Sequence, residues 1–391
     1  MIKSSIIYLS KFSLLLLLIT LLFSTCDVDD INSSQGKYEV LFDSLYYTGS
    51  QWSDASDILE VSSGGYIVAG RLGSSGNQAV LIRINESGEQ VWRKSYSGER
   101  LHSIIETTNG FVAAGGSAPG GYILGIDEQG NVLWEKDIVF PYAEDARKII
   151  QTSYGDFFIP VNSYETHGKA RLVKLFSYGV TNWIKIIEGD SRTRIYSVAE
   201  DLDGNIKLIE EIEQDSLSSN WLVTIDRNGN ERSKKIISED VSAIASTWHE
   251  LSTIRTNTGN FAGVGNEYFF LIDTSGNIIS KKNVPTPYKY DQIRLYSIFQ
   301  KNDNSFIAAG FQWKWVENDS THVYESQSYG GLFLLNSAGD LHENIVIGPD
   351  CINNAVTSVL VSRDNTIVTA GYYVPCGSTG NKIWVKRIRI L

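Results

Sequence analysis

The chain predicts an all-β fold, a seven-bladed β-propeller of four-stranded antiparallel blades, and three observations carry that expectation. A short apolar run, opened by an aromatic residue or Ile, recurs at Tyr66, Phe111, Phe157, Ile206, Phe261, Phe306 and Ile367, at spacings of 45, 46, 49, 55, 45 and 61 residues. That period sits near the roughly 40 to 50 residues of a propeller blade. A glycine turn recurs behind these runs at Gly88, Gly130, Gly179, Gly229, Gly276 and Gly339, commonly as Gly-Asn or Gly-Asp. Lastly, the seventh unit stops after its third strand, Ile383 to Ile390, while an extra strand-like segment, Tyr38 to Gly49, stands ahead of the first.

The first full unit shows why each run reads as a strand. Asp57 to Val61, Tyr66 to Gly70, Ala79 to Ile84 and Gln90 to Ser95 are short, rich in β-branched residues and separated by Gly-Gly, Gly-Asn and Ser-Gly punctuation. Tight turns of this kind need positive φ, which Gly adopts without strain and Asn or Asp tolerates. Small-residue endings recur at YIVAG, FVAAG, FIAAG and IVTAG. A sheet with apolar residues on both faces cannot bury itself alone, so each unit must stack on copies of itself. The segment YEVLFDSLYYTG from Tyr38 resembles the fourth strands VWRKSYSG and VLWEKDI. It is expected to complete the seventh blade, closing the ring and hiding its edges.

Residues 1–25 read as a signal peptide. Lys3 and Lys11 precede an apolar core, Phe12 to Phe23, that is too short to span a bilayer as a helix. Its end, Phe23-Ser24-Thr25-Cys26, resembles the lipobox of bacterial lipoproteins, which implies lipidation of Cys26 and an outer-membrane address, periplasmic or on the cell surface. Residues 26–37 are polar and read as a tether, leaving 38–391 as the propeller. The chain carries 34 Lys and Arg against 45 Asp and Glu, and loss of Lys3 and Lys11 with the signal shifts the formal charge from −11 to −13. Without a basic run longer than a pair, nucleic acid is not an expected partner. Cys351 and Cys376 both fall in the seventh unit, and an oxidising compartment would permit them to pair.

Units of the form GGYIVAG followed by LIRINESGEQVWRKSYSG resemble the propeller repeats of secreted bacterial proteins and lipoproteins, most without an assigned function. The tryptophan-docking motif of quinoprotein propellers is not matched, because Trp92, Trp134 and Trp183 lack their Thr-Gly partners. The sialidase box is not matched either, since Ser362-Arg363-Asp364-Asn365 lacks the Gly and Trp. These three Trp residues are expected to pack between neighbouring blades. Asp201 to Asn205 resembles the start of a calcium loop but reads better as an Asp/Gly turn. The histidines at 102, 167, 249, 322 and 342 show no zinc spacing, so neither metal nor cofactor is expected.

The first-to-second and third-to-fourth connections are short and share one rim, whereas the other connections vary and lengthen on the opposite rim. The longest is Gln312 to Gly330. Variable loops on a rigid scaffold are where binding residues concentrate. The long-loop rim holds an unusual share of aromatics, and Trp52, Tyr142, Tyr164, Trp248, Trp313 and Trp315 are the ligand-binding candidates. Flat faces with a polar edge suit sugar rings or a protein hot spot. The expected function is therefore non-enzymatic: a lipid-anchored envelope protein that binds a glycan or another envelope protein. The alternatives are a scaffold within an envelope assembly and a glycan hydrolase or lyase. Catalysis would need a carboxylate pair drawn from Asp54, Asp57, Glu144, Asp145, Glu250, Asp291 and Glu317.

Overall fold

Seven four-stranded antiparallel sheets form a seven-bladed β-propeller, and one compact unit spans Lys37–Leu391. The computed structural model describes residues 37–46, 52–73, 77–117, 120–163, 165, 168–187, 192–214, 217–238, 252–318, 323–348, 353–375 and 380–391. The blades lie in chain order. Their innermost strands are Trp52–Glu60, Arg100–Thr107, Ala143–Ala146 with Ile150–Gln151, Arg192–Glu200, Ser252–Arg255, Gln292–Gln300 and Asn354–Val361. The five sequence-predicted candidates Cys26, Tyr164, Trp248, Cys351 and Cys376, together with the signal-peptide and tether assignments up to residue 36, lie outside the described residues.

The ring closes as the sequence predicts. Tyr38–Tyr46 pairs antiparallel with Lys382–Ile390, from Tyr38 opposite Ile390 to Tyr46 opposite Ile383, and becomes the outermost strand of blade 7. Its side chains repeat a device of the other outer strands. Trp92 packs on the turn glycine Gly130 of the next blade while the Tyr96 hydroxyl donates to the Gly130 carbonyl at 3.0 Å. Four residues apart in the same way, Phe42 packs on Gly88 and the Tyr46 hydroxyl donates to the Gly88 carbonyl at 2.6 Å. Trp134 on Gly179 and Trp183 on Gly229 continue the series. The recurring tryptophans are thus blade-to-blade packing, as expected. A β-carbon at Gly88 or Gly179 would run into the ring and one at Gly130 or Gly229 would crowd it, and each also holds a positive φ.

Apolar burial is concentrated between blades. Among the described residues, one core cluster sits at each of the seven interfaces between successive sheets, including the closing one, where Phe42, Val385 and Leu360 of blade 7 meet Ile58, Tyr66 and Val80 of blade 1. On the short-turn rim a second device repeats. A residue at or next to the end of an inner strand accepts a backbone N–H from the preceding blade's turn: Glu106 from Ser62, Glu200 from Ser153, Gln300 from Asn257, and Glu60 from Arg363 across the closure.

The turns themselves are nearly identical. In every third-to-fourth turn the residue closing the strand donates to a carbonyl four residues on, as Asp226 does to Asn230, with a left-handed Gly before the acceptor. Asn or Asp at the first position adds side-chain bonds: Asp226 Oδ1 accepts the N–H of Asn228 and Asn230, each at 2.9 Å. The Asp201 to Asn205 segment is built the same way between first and second strands, with Asp201 Oδ1 taking the N–H of Asp203 and Asn205.

Two sequence readings need correction. Gln312 to Gly330, expected as a long loop, is the far half of a β-hairpin: Phe306–Asn318 and Val323–Leu335 stay in register out to Asn318 opposite Val323. The inner strand of blade 1 starts at Trp52, five residues before the predicted Asp57, and contains a bulge.

Candidate binding site at the channel mouth

That bulge is the structural feature that builds the site. The pairing of first and second strands slips by one residue at Ser56, His102, Tyr196, Tyr296 and Thr357, and blade 3 makes the same one-residue excess by leaving its inner strand over Arg147–Ile149. A bulge leaves its extra residue unpaired and re-aims the side chain. Here Ser56, His102, Arg147, Tyr196, Tyr296 and Thr357 all line one central cavity of about 500 Å³, to which every blade contributes.

One residue further along lies a ring of short polar side chains that stitches the channel wall. Asp57, half-buried, accepts the N–H of Ile104 in blade 2 at 3.0 Å, that of Ile58 at 2.9 Å and the Ser358 hydroxyl of blade 7 at 2.9 Å. Ser297 accepts the N–H of Val359, Ser197 bonds to Thr253, and Asn162 exchanges two hydrogen bonds with the backbone of Ile195. Burial pushes the Asp57 carboxyl above its ordinary range, against the opposing pull of Lys148 and its three donors.

Above this waist, toward the rim of the variable connections, the wall is charged. Asp54 is held by Arg71 Nη2 at 2.7 Å and, on its other oxygen, by Arg100 Nη2. His102 Nε2 lies 2.8 Å from Asp145 Oδ2. Burial lowers the His102 pKa below 6.5 more than the bond to Asp145 raises it, and Arg147 and Arg100 lower it further. Asp145 stays ionised, because His102, Arg147 and Arg100 outweigh the effect of its burial. The pair is therefore a neutral imidazole donating to a carboxylate. Beyond it Arg194 reaches Glu211 at 3.3 Å, and the Tyr196 hydroxyl donates to the same carboxylate at 2.5 Å. Burial, and then Glu211, raises the Tyr196 pKa, so its hydroxyl keeps its proton.

This electrostatics has a testable consequence. Between pH 6.5 and the lower folded-state pKa of His102, the unfolded chain binds a proton that the folded chain refuses, so stability is lost as the pH falls through that window. Asp57 acts with the opposite sign, and a comparison with His102→Gln isolates the histidine. The melting temperature of the wild type should fall more steeply from pH 7 to pH 5 than that of His102→Gln; parallel curves would show that His102 titrates normally.

The sequence-predicted aromatics divide on inspection. Trp52 opens the inner strand of blade 1, lines the cavity and is 55% exposed; Trp315 is 57% and Tyr142 50% exposed. Trp313 lies on the same hairpin face as Phe311, their centroids 5.2 Å apart, and Phe311 in turn packs on the cavity-lining Tyr296 at 5.4 Å. An aromatic ladder thus runs from the channel wall outward along the hairpin, with Arg294 over Trp313. Two further aromatics of these connections, Tyr329 and Tyr373, are buried. Of the carboxylates considered for catalysis, Asp54, Asp57 and Asp145 are engaged as described, Glu144 faces Arg192 at 4.0 Å, and Asp291 accepts the Trp315 N–H at 2.7 Å. Glu317 is exposed and Glu250 lies outside the described residues.

No family model matches the chain, and no curated protein is similar to it in sequence. Solved structures do resemble it. The Dos1 propeller is 12% identical with a TM-score of 0.50, covering 85% of this chain and 77% of that one. Sqt1 from Chaetomium thermophilum is 11% identical with a TM-score of 0.50, covering 85% and 82%. A protein of unknown function from Dyadobacter fermentans is 10% identical with a TM-score of 0.48, covering 91% and 100%. At these identities the likeness is one of fold. It agrees with the propeller architecture and leaves function to the site.

Proposed function

We propose that this propeller is a binding protein of the cell envelope, lipid-anchored through Cys26, that takes a glycan at the long-loop mouth of its channel. One observation carries the reading. A cavity of about 500 Å³, within the usual size of ligand sites, opens beside the half-exposed ring of Trp52, on the rim that also carries Trp315 and Tyr142. A flat indole standing half exposed beside a cavity matches the C–H face of a sugar. Binding is favoured over catalysis because the channel carboxylates are committed to neighbouring arginines, backbone N–H groups and His102.

Because Trp52 and Trp315 are more than half exposed, replacing both by Ala should leave the melting temperature within about 2 °C while weakening glycan binding at least about tenfold, or about 1.4 kcal/mol. Glycan-array binding followed by calorimetry reads both quantities. Unchanged affinity in the double variant would move the site elsewhere.

A further inference from the structure

We propose that the sugar taken in the channel is acidic, its anionic group seated between Arg147, Lys148 and the guanidinium edges of Arg71 and Arg100. The inference rests on the glycan reading above and deepens it. The chain as a whole is acidic, at −11, yet the cavity wall carries Arg71, Arg100, Arg147 and Lys148 against Asp54 and Asp57.

The carboxylates there are engaged and the cations are not fully so. Asp54 takes one guanidinium on each oxygen, Asp57 takes three donors, and Asp145, which neighbours the wall, takes His102. By contrast, Arg147 and Lys148 make no ion pair among the described residues, and the side chains of Arg71 and Arg100 stay 25% and 29% exposed. Two arginines on one carboxylate also leave one positive charge unbalanced. An entering carboxylate or sulfate would balance that charge, and guanidinium groups match such anions two bonds at a time.

The backbone supports a built site. Blade 3 breaks its inner strand over Arg147–Ile149 instead of making a simple bulge, and this brings two consecutive cationic residues to the cavity wall where blade 1 presents Ser56 and Asp57 and the other blades Ser, Thr, Tyr or His. The hydroxyls of Ser56, Ser103 and Ser252 on the same wall supply neutral polar partners for the sugar ring, and Trp52 lines the entrance. An anionic pyranose presents both features that this wall matches.

The test uses an array of uronate-, sialate- and sulfate-bearing oligosaccharides beside their carboxyl-reduced or desulfated counterparts, with inorganic sulfate as a competitor. The wild-type propeller should bind acidic members in a salt-sensitive way. Arg147→Gln with Lys148→Gln should weaken that binding at least about tenfold, with the fold confirmed by an unchanged melting temperature. Arg147→Lys with Lys148→Arg should retain most of it.

Preference for neutral glycans, or acidic binding indifferent to the Gln pair, would overturn the acidic-sugar proposal while leaving the glycan reading intact, provided Trp52→Ala with Trp315→Ala still weakened binding at least about tenfold. Binding of sulfate alone, lost in the Gln pair but with no sugar bound, would overturn the sugar as occupant. Binding to no member of the array would overturn both readings.

Discussion

Deleting residues 37–46 should abolish the cooperative unfolding transition of the propeller. The segment supplies the outermost strand of blade 7, and its loss strips the pairing partner from Ile383–Ile390 and removes the buried Phe42 and Tyr46 from the closing interface. Each aromatic is worth about 3 to 5 kcal/mol when truncated in a core, so the two together approach the whole stability of a typical domain, about 5 to 15 kcal/mol. The exposed edge would also invite aggregation. A permutant separates this cause from a general truncation effect. The Leu391 N–H already donates to the Lys37 carbonyl at 3.0 Å, so residues 37–46 attached behind Leu391 through a short Asn-Gly-type turn should refill the same place. Calorimetry should show one sharp transition for the permutant and none for the deletion; a deletion variant that melts like the parent would contradict closure by this strand.

Trp384→Ala should be the most destabilising single substitution within blade 7, where the indole packs into the core facing blade 6. The residue is 1% exposed, stands opposite Gly371 and Leu45, and donates its indole N–H to Asp43 Oδ1 at 2.6 Å, tying the closing strand to its neighbour. Loss of the ring should cost about 3 to 5 kcal/mol and lower the melting temperature by about 5 to 10 °C. Trp384→Phe keeps most of the packing and loses the hydrogen bond, so its cost should be about 1 to 2 kcal/mol. Equal effects of Ala and Phe would mean that the hydrogen bond, not the packing, dominates.

The architecture was legible because it rests on repetition. Apolar runs at blade spacing, left-handed glycines at turns and a strand-like segment left over at the start each have one physical reason, and all three reasons require the same ring. The match of Phe42 and Tyr46 to Trp92 and Tyr96, four residues apart in both cases, made the closing strand recognisable in composition and explains it in packing. What escaped was whatever breaks alternation. Trp52 to Ser56 did not read as strand because the bulge at Ser56 shifts the side-chain phase there. The hairpin beyond Gln312 did not read as strand because there Glu317 and Ser326 face water and the apolar alternation lapses.

The candidate site was hidden for the same reason, as its residues are scattered singly over the blades. Nothing local marks Asp54, Arg71, Arg100 and Arg147 as neighbours, and His102 and Asp145 are 43 residues apart. A signal did exist. Aligning the repeats at the bulge brings Ser56, His102, Arg147, Tyr196, Tyr296 and Thr357 into one register, and the equivalent positions of a propeller repeat meet around its axis. The rim aromatics, by contrast, were found from loop composition alone, though only part of them stay exposed.

The claim that binding occurs at the mouth of the channel is tested most directly by hydrogen–deuterium exchange on the Lys37–Leu391 propeller, with and without a glycan selected on the array. Slowed exchange should concentrate in Trp52–Asp57, Arg100–Ser103 and Ala143–Lys148, the segments that bring Trp52, Arg100, His102, Arg147 and Lys148 to the cavity. Protection confined to the short-turn rim, at residues 85–89 and 127–131, or to the outer strands would contradict it.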